Sequence, residues 1–592
     1  MNKPHLHPRF LVPCFLLAVT SAACALGAES EAVDAIYYNG KIVTVDDDFR
    51  IAEAIAVRGD RIAAVGSTQD VLKLAGSQTR RIDLEGRTVL PGLIDSHVHP
   101  TGASMYEFDH VVPPMETIAD VLRYIKGRAD VLEDGEWIVV SQVFITRLRE
   151  QRFPTRQELD SVAPRNPVMF RTGPDCALNS LALKLSGIDR HTTIDDGQPG
   201  KIEKDPVTGE PTGILRSCRR LVRYETPKSL KKPSLEDRVA QLEALLRDYN
   251  AVGLTSISDR SAGDSAIRLY EILHERNKLT CRVFLYYSIN AQQPLAAIRQ
   301  RMEQASRHPL HKYDDRLWLR GIKIFLDGGM LTGSAYMRKP WGVSRIYSIT
   351  DPNYRGLLYV PPDKLYQIAK LALDHQLQPT AHSVGDGAVH ALIAAYEQVD
   401  REDSIQGKRP CITHCNFMSA EAIDKMRRLG IVADLQPAWL LLDGATLKKQ
   451  FGEERLAYFQ PYRSLFDAGI VVGGGSDHMQ RIGGMRAVNP YNPFWGMWIT
   501  LTRQPRWTDQ PLHPEQRISR REALRFYTIN NAYLTFEEDK KGSLEEGKLA
   551  DFIVIDRDYL NCPLEQIKEI RVLRTVVGGK TVYSKRSERP HP

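Results

Sequence analysis

The chain reads as a parallel α/β protein, a (β/α)8 barrel carrying a small β-sandwich made from both chain ends and an inserted subdomain. Three observations predict this. Apolar strand-like runs alternate with helical patterns through the middle of the chain, the mark of parallel β/α architecture. Short β segments with turn signals stand near both termini. The stretch from about Gly102 to Lys232 is too long for one crossover and reads as an insertion, about 102–232. The strand count suits an open sheet as well as a closed barrel.

Taken in order, residues 1–28 read as an export signal. Lys3 and Arg9 precede an apolar stretch from Phe10 to Val19, and small residues dominate through Ala28. That stretch is too short to span a bilayer, and Pro13 interrupts it. Cleavage after Ala25 fits a small-x-small rule through Ala23 and Ala25, whereas Leu26 spoils the same rule for Ala28. Cys24 is a poor lipoprotein site, because Ser21 stands where an aliphatic residue is usual. The expectation is an exported protein, periplasmic or secreted. No later stretch reads as a membrane helix.

Residues 29–90 and 541–592 read as the two parts of the β-sandwich. Asp34–Val45 has a strand–turn–strand pattern, and Ile55–Gly66 repeats it with Gly59-Asp60 at the hairpin position. Phe552–Ile555 is a strand, and Val572–Val582 forms a hairpin around Gly578-Gly579. Between these parts, residues 91–540 form the barrel. Its clearest strands are Val89–His97, Gly253–Ser258, Gly321–Phe325, Gln378–His382, Cys411–His414, Ile431–Gln436 and Ile470–Ser476. Helical patterns cover Leu235–Tyr249, Ala388–Gln398, Ala420–Leu429 and Arg520–Asn530.

Composition excludes several function classes. With 592 residues, 42% hydrophobic and 26% charged, the chain is ordinary for a globular protein of more than one domain. A net charge of +6 is weak at this length, and no basic run suggests a nucleic-acid partner. Beyond Cys14 and Cys24, six cysteines remain: Cys176, Cys218, Cys281, Cys411, Cys415 and Cys562. Six in so large a chain make no disulfide framework, though one bridge stays open.

The chemistry gathers at strand ends. Side chains alternate along a strand, so His97 and His99 project from one face, side by side. Two neutral imidazoles held together make half of a metal site. Lys323, His382, His414 and Asp477 each close a later strand. In a β/α barrel these ends meet at one face. Six polar groups converging there would be costly to desolvate, and a metal centre removes that objection.

The phrases Leu90-Pro91-Gly92-Leu93-Ile94-Asp95-Ser96-His97-Val98-His99, His382-Ser383-Val384-Gly385-Asp386, Gly475-Ser476-Asp477 and Gly547-Lys548-Leu549-Ala550-Asp551 carry a resemblance over nearly the whole chain. It is similar to the metal-dependent amidohydrolase superfamily, in the amidohydrolase-3 branch that includes N-substituted formamide deformylase. The resemblance implies a closed, TIM-like barrel and a hydrolase of C–N bonds other than peptide bonds. It implies two divalent metal ions, zinc being the expected metal. His97, His99 and Asp477 would bind the more buried ion, and His382 and His414 the other. Lys323 would be carboxylated by CO2 and bridge the two, which suits a buried neutral amine. Asp477 would also be the general base and then acid. The expected substrate is a small amide, an N-formyl or N-acyl compound or a cyclic amide. A homo-oligomer stays open.

Other residues rank lower. Cys411 and Cys415 read as packing, and Asp386 and His390 as a capping or pairing couple on a helix. Asp327 would orient Lys323 or substrate, and His478 would line the mouth or be solvated. Arg260, Tyr336, Trp439 and Trp495 are pocket candidates. Family members often carry Asp-Gly-His before an Asn-Ser pair. Here Pro174 stands at that histidine's place before Asn179-Ser180, and Arg171 or Asp175 would substitute for it. Two rival functions are a mononuclear deaminase and a catalytically silent binding or regulatory protein. Deaminases typically carry a glutamate three residues after the strand-five histidine, where this chain has Gly385. Loss of a ligand would favour the silent protein, yet all six are present.

Overall fold

The computed structural model describes residues 32–585, so the export-signal reading of residues 1–28 lies outside the described residues. Eight parallel strands form the barrel: β1 Leu93–Val98, β2 Leu254–Ala262, β3 Arg282–Ser288, β4 Leu317–Phe325, β5 Gln378–Ser383, β6 Cys411–His414, β7 Val432–Leu435 and β8 Val472–Gly474. They pair in chain order. Helices such as Leu235–Ala251, Asp386–Glu402 and Ala420–Leu429 pack between them.

Closure is local. Just beyond β8, an isolated parallel bridge joins His478 to Val98. There the Asp477 N–H donates to the His97 carbonyl, and the His99 N–H to the His478 carbonyl, both at 2.8 Å. The sheet is therefore a barrel, and its seam lies where the candidate ligands of β1 meet Asp477.

Three details differ from the sequence reading. The run read as one strand, Val89–His97, breaks at Gly92 into Thr88–Pro91 and β1. A Cβ on Gly92 would lie 2.2 Å from Thr255 Oγ1, so only glycine lets β1 and β2 approach there. Strand β3 was absent from the reading altogether. It is an apolar and aromatic run, Arg282-Val283-Phe284-Leu285-Tyr286-Tyr287-Ser288, whose end carries no ligand-type residue to mark it. The helix read as Arg520–Asn530 is also two, Arg520–Phe526 and Ile529–Leu534, parted by the non-helical backbone of Thr528 (φ −132°, ψ −101°).

Thr88–Pro91 belongs to the small β unit. It pairs antiparallel with Phe552–Ile555, joining the two chain ends in one six-stranded sheet. A four-stranded sheet of Arg61–Gly66, Ala54–Arg58, Ala35–Tyr38 and Arg80–Asp83 lies against it. Tyr37, Ile55, Val57, Val89, Phe552 and Val554 fill the space between, burying the inward face of each sheet. The chain between β1 and β2 builds a further five-stranded sheet, whose edge strand is Ile138–Ser141. Trp137, Met169, Leu178, Leu183 and Leu215 give it a core of its own.

Candidate metal centre and cavity

The seam brings three donor atoms together. His97 Nε2 and His99 Nε2 lie 3.2 Å apart, and Asp477 Oδ1 lies 3.4 Å from the first and 3.3 Å from the second. Asp477 reaches this position with a left-handed backbone, φ 54°, sparsely populated for a non-glycine residue. The Gly-rich approach to it has a steric reason: a Cβ on Gly475 would meet His97 Cβ at 2.8 Å. Asp95 ties the seam from beneath, its Oδ1 accepting the His97 N–H at 2.9 Å and the Ser476 N–H at 3.1 Å. Burial pushes the Asp95 carboxyl up to about 7 and raises that of Asp477 as well.

The rings are oriented from behind by β7. His97 Nδ1 lies 2.9 Å from Asp434 Oδ2. An ionised carboxylate only accepts, so Nδ1 carries the proton and the Nε2 lone pair faces the cluster. Burial drives the pKa of this imidazole well below its usual range, keeping it neutral. Asp434 also accepts from Thr413 Oγ1 at 2.8 Å and Gln436 Nε2 at 2.9 Å, and pairs with Arg260 at 3.5 Å. The Gln436 amide, oriented by that donation, accepts from His414 Nδ1 at 2.6 Å. Neither Asp434 nor Gln436 was read from the sequence.

His414, Lys323 and His382 continue the cluster. The His414 ring centroid lies 4.9 Å from that of His97 and 4.5 Å from that of His382. His414 also has left-handed backbone, φ 80°, and Trp439 stacks on it at 4.7 Å. Burial keeps both of these histidines neutral, pushing His382 down to about 3. The strongest polar contact of the His382 ring is long, Nε2 to the Gly328 carbonyl at 3.4 Å. Lys323 is buried in β4, and among the described residues no carboxylate lies within 4.0 Å of its Nζ. Desolvation pushes this amine down to about 8.

All six of these residues line one cavity of about 640 Å³, the size of a small-molecule site. The barrel mouth forms its floor. The chain between β1 and β2 forms its roof, through Tyr106, Ser141, Gln142, Phe144, Arg171 and Arg219. Trp439, Arg171 and Asp327, expected near substrate, are in this lining, as is Pro174. Asp327 does not pair with Lys323. Its carboxylate accepts three backbone N–H groups, from Tyr336 at 3.0 Å, Val384 at 3.0 Å and Gly385 at 2.9 Å.

Other expectations are corrected. Arg260 does not line the cavity; it lies inside the barrel, over the Tyr286 ring at 4.0 Å, donating to the Ser96 carbonyl at 2.7 Å. A buried cation there is what Asp434 needs as a counter-charge. Tyr336 packs outside against Gly387, and Trp495 lines a separate small pocket behind the barrel wall. His478 is neither solvated nor at the mouth: it is buried, with Nδ1 2.7 Å from the Tyr249 hydroxyl. Asp175 faces away from the cavity, accepting the Ser217 N–H at 2.9 Å. The six described cysteines are free and buried, Cys411 and Cys415 among them. Asp386 accepts the Arg338 N–H at 2.8 Å, and His390 lies between Arg338 and Ser419, at 3.0 and 2.9 Å.

Known proteins share this architecture. The model of the amidohydrolase family matches residues 80–583. The chain is 30% identical to an N-substituted formamide deformylase of Arthrobacter pascens, over 93% of this chain and 98% of that protein. It is 29% identical to the protein LONG AFTER FAR-RED 3 of Arabidopsis thaliana, over 93% and 91% of the two chains. Among solved structures it is similar to an uncharacterized metal-dependent hydrolase from Pyrococcus horikoshii. That likeness has a TM-score of 0.64 and 21% identity, covering 90% of this chain and 99% of the other. The chain belongs to the amidohydrolase family, as a metal-dependent hydrolase acting on carbon–nitrogen bonds.

Proposed function

We propose that the enzyme hydrolyses an amide, an N-formyl or N-acyl compound or a cyclic amide at the floor of this cavity. His97, His99 and Asp477 would hold one divalent cation, and His382, His414 and a carboxylated Lys323 a second. The observation that carries the reading is the spacing of 3.2, 3.4 and 3.3 Å among the three donor atoms at the seam. A tetrahedral zinc with bonds of ~2.0–2.1 Å sets its ligand atoms roughly 3.3 Å apart. Three acceptor atoms so close repel one another unless a cation or shared protons lie among them. Two imidazoles and a carboxylate also form a donor set that suits zinc.

The second cation rests on what the other end lacks. Among the described residues, His97, His99 and Asp477 make the cluster of His, Cys, Asp or Glu donors at this site, and His382 and His414 have no third such donor. A carbamate on Lys323 would supply it. An amine pushed down to about 8 has a neutral fraction at physiological pH. The neutral amine adds to CO2, forming an N–C bond and losing one proton.

Bound cations would polarise the scissile carbonyl and acidify the attacking water. Asp477 takes the proton from that water on its carboxylate and returns it to the leaving nitrogen. Its raised pKa moves it towards a value useful in both roles. Asp434 and Gln436 keep the His97 and His414 lone pairs aimed at the cluster. The deaminase arrangement is disfavoured by sterics. A Cβ on Gly385 would lie 2.0 Å from the Tyr336 carbonyl oxygen, so no glutamate fits there. The N-formyl and N-acyl class is favoured by similarity to the formamide deformylase.

Elemental analysis of the purified protein beside Lys323→Ala tests this reading. We expect about two metal ions per chain, fewer in the variant, and turnover of N-formyl amines by the wild type. One ion unaffected by the substitution would replace the bridged centre with a mononuclear one. No metal after reconstitution would leave a silent binding protein.

A further inference from the structure

The roof of the cavity holds two arginines without partners. Arg171 stands in the strand Val168–Thr172, and Arg219 opens the short turn Arg219–Leu221. Both line the cavity. Among the described residues neither side chain makes a hydrogen bond or ion pair, and Arg171 Nε is buried with no acceptor. Three nearby arginines have carboxylate partners: Arg216 pairs with Glu203, Arg220 with Asp196 and Arg147 with Asp443.

The cavity offers no internal counter-ion. Its two carboxylates are Asp327 and Asp477. The first is committed to three backbone amides and the second to the paired histidines. Burial and the neighbouring Arg219 push Arg171 down to about 10, the sign of a cation short of both water and anions. Much of the remaining lining is apolar, with Tyr106 and Phe144 beside the arginines in the roof and Phe325, Met330, Leu331 and Trp439 below them, next to the hydroxyls of Ser261 and Thr332. A guanidinium binds a carboxylate through two parallel N–H donors, and a partly desolvated site strengthens the pair.

We propose that the substrate is an amide with an apolar or aromatic middle and a carboxylate at its far end, which Arg171 and Arg219 bind while the amide lies on the floor. The proposal rests on the hydrolase reading above for the amide, and on the roof alone for the carboxylate.

The test has a binding arm and a turnover arm, both on the metal-loaded enzyme. In the first, calorimetry compares 4-methylbenzoate with 4-methylbenzamide. We expect the carboxylate to bind at least about tenfold tighter, and Arg171→Gln or Arg219→Gln to erase most of that preference. Arg171→Lys should restore part of it, and Arg220→Gln, outside the cavity, should leave it unchanged. Equal binding of the two probes to the wild type would overturn the proposal. So would a preference that survives in the double Arg171→Gln/Arg219→Gln variant, because the carboxylate would then sit elsewhere. In the second arm, kcat/KM is compared for N-formyl-4-(aminomethyl)benzoate and its carboxamide. A carboxylate preference lost in the arginine variants and kept in Arg220→Gln, which lies outside the cavity, supports the proposal. Turnover indifferent to the carboxylate overturns it and leaves the hydrolase reading intact. The expected binding pattern without turnover of any N-formyl, N-acyl or cyclic amide sinks the proposed substrate class and leaves the anion site standing.

Discussion

The two ends of the ligand cluster are built in different ways. At the seam, His97, His99 and Asp477 already lie within ligand distance of one another, and each is braced by backbone or side-chain contacts across the closing strands. At the other end, the polar contacts of His382 are long, 3.4 Å to the Gly328 carbonyl and 3.8 Å to Asp327, and Lys323 has no anionic partner among the described residues. The seam end is finished by folding, because the bonds that close the barrel also place its ligands. On the function proposed above, the Lys323 end would be finished by chemistry on a side chain, and it would inherit the reversibility of that chemistry.

The largest effect should come from the seam. Asp477→Asn preserves size but removes both the proposed anionic ligand and the proposed proton acceptor. We expect kcat to fall by about 10³-fold or more, with circular dichroism unchanged. A variant that keeps a tenth of wild-type turnover would move the base elsewhere in the cavity.

Chelation should then separate the ends. In CO2-depleted buffer a carbamate on Lys323 would decay, while the seam ligands are intrinsic to the fold. We expect stepwise chelator titration to remove one ion at about tenfold lower chelator than the other, and added bicarbonate to narrow the gap. Simultaneous loss of both ions, indifferent to bicarbonate, would erase the distinction.

A smaller effect is expected behind the ligands. Asp434→Asn keeps a hydrogen-bond partner for His97 but removes the charge that fixes its tautomer. Changes of this kind cost about 10–100-fold in metal affinity. The same substitution leaves the buried Arg260 without its counter-charge, so a fall in melting temperature should accompany it. Unchanged metal affinity would reduce Asp434 to a structural partner of Arg260.

The same contrast explains what could be read beforehand. The candidate ligands were legible because they end strands, and because His97 and His99 sit two apart on one face. The Gly-rich run before Asp477 was legible for a steric reason now visible at Gly475. Asp434 and Gln436 were not, although their own spacing of two, in the buried strand β7 and just past its end, was the same kind of signal. They were hidden because acid and amide side chains in a strand are read as ligands only when a histidine accompanies them. The roof was harder still. The sequence offers Arg171 as a substrate contact only in place of the histidine that Pro174 displaces, and Arg219 not at all, because the lack of an acid partner is a property of three-dimensional contacts. The break at Gly92 belongs to the same class, since it depends on Thr255, far away in sequence.

The smallest effect concerns stability and sharpens the comparison from outside the cluster. His478 lies behind the seam, hydrogen-bonded to Tyr249 and to the carbonyls of Gln480 and Arg481. Burial pushes its pKa down to about 4, against about 6.5 in an unfolded chain. Below pH 6.5 the unfolded state therefore binds the extra proton, and stability falls as pH drops from about 6.5 towards 4. Each such histidine contributes a slope of up to about 1.4 kcal/mol per pH unit in that window. In chelator-treated protein, His97, His382 and His414 should add slopes of the same sign, since burial lowers all three. Urea unfolding at pH 7.0, 6.0 and 5.0 should show His478→Gln less stable throughout but losing less stability between pH 6.0 and 5.0 than wild type. An unchanged slope would mean that His478 is protonated in the folded protein. The frame of the seam would then carry a charge next to the backbone carbonyl that holds His99.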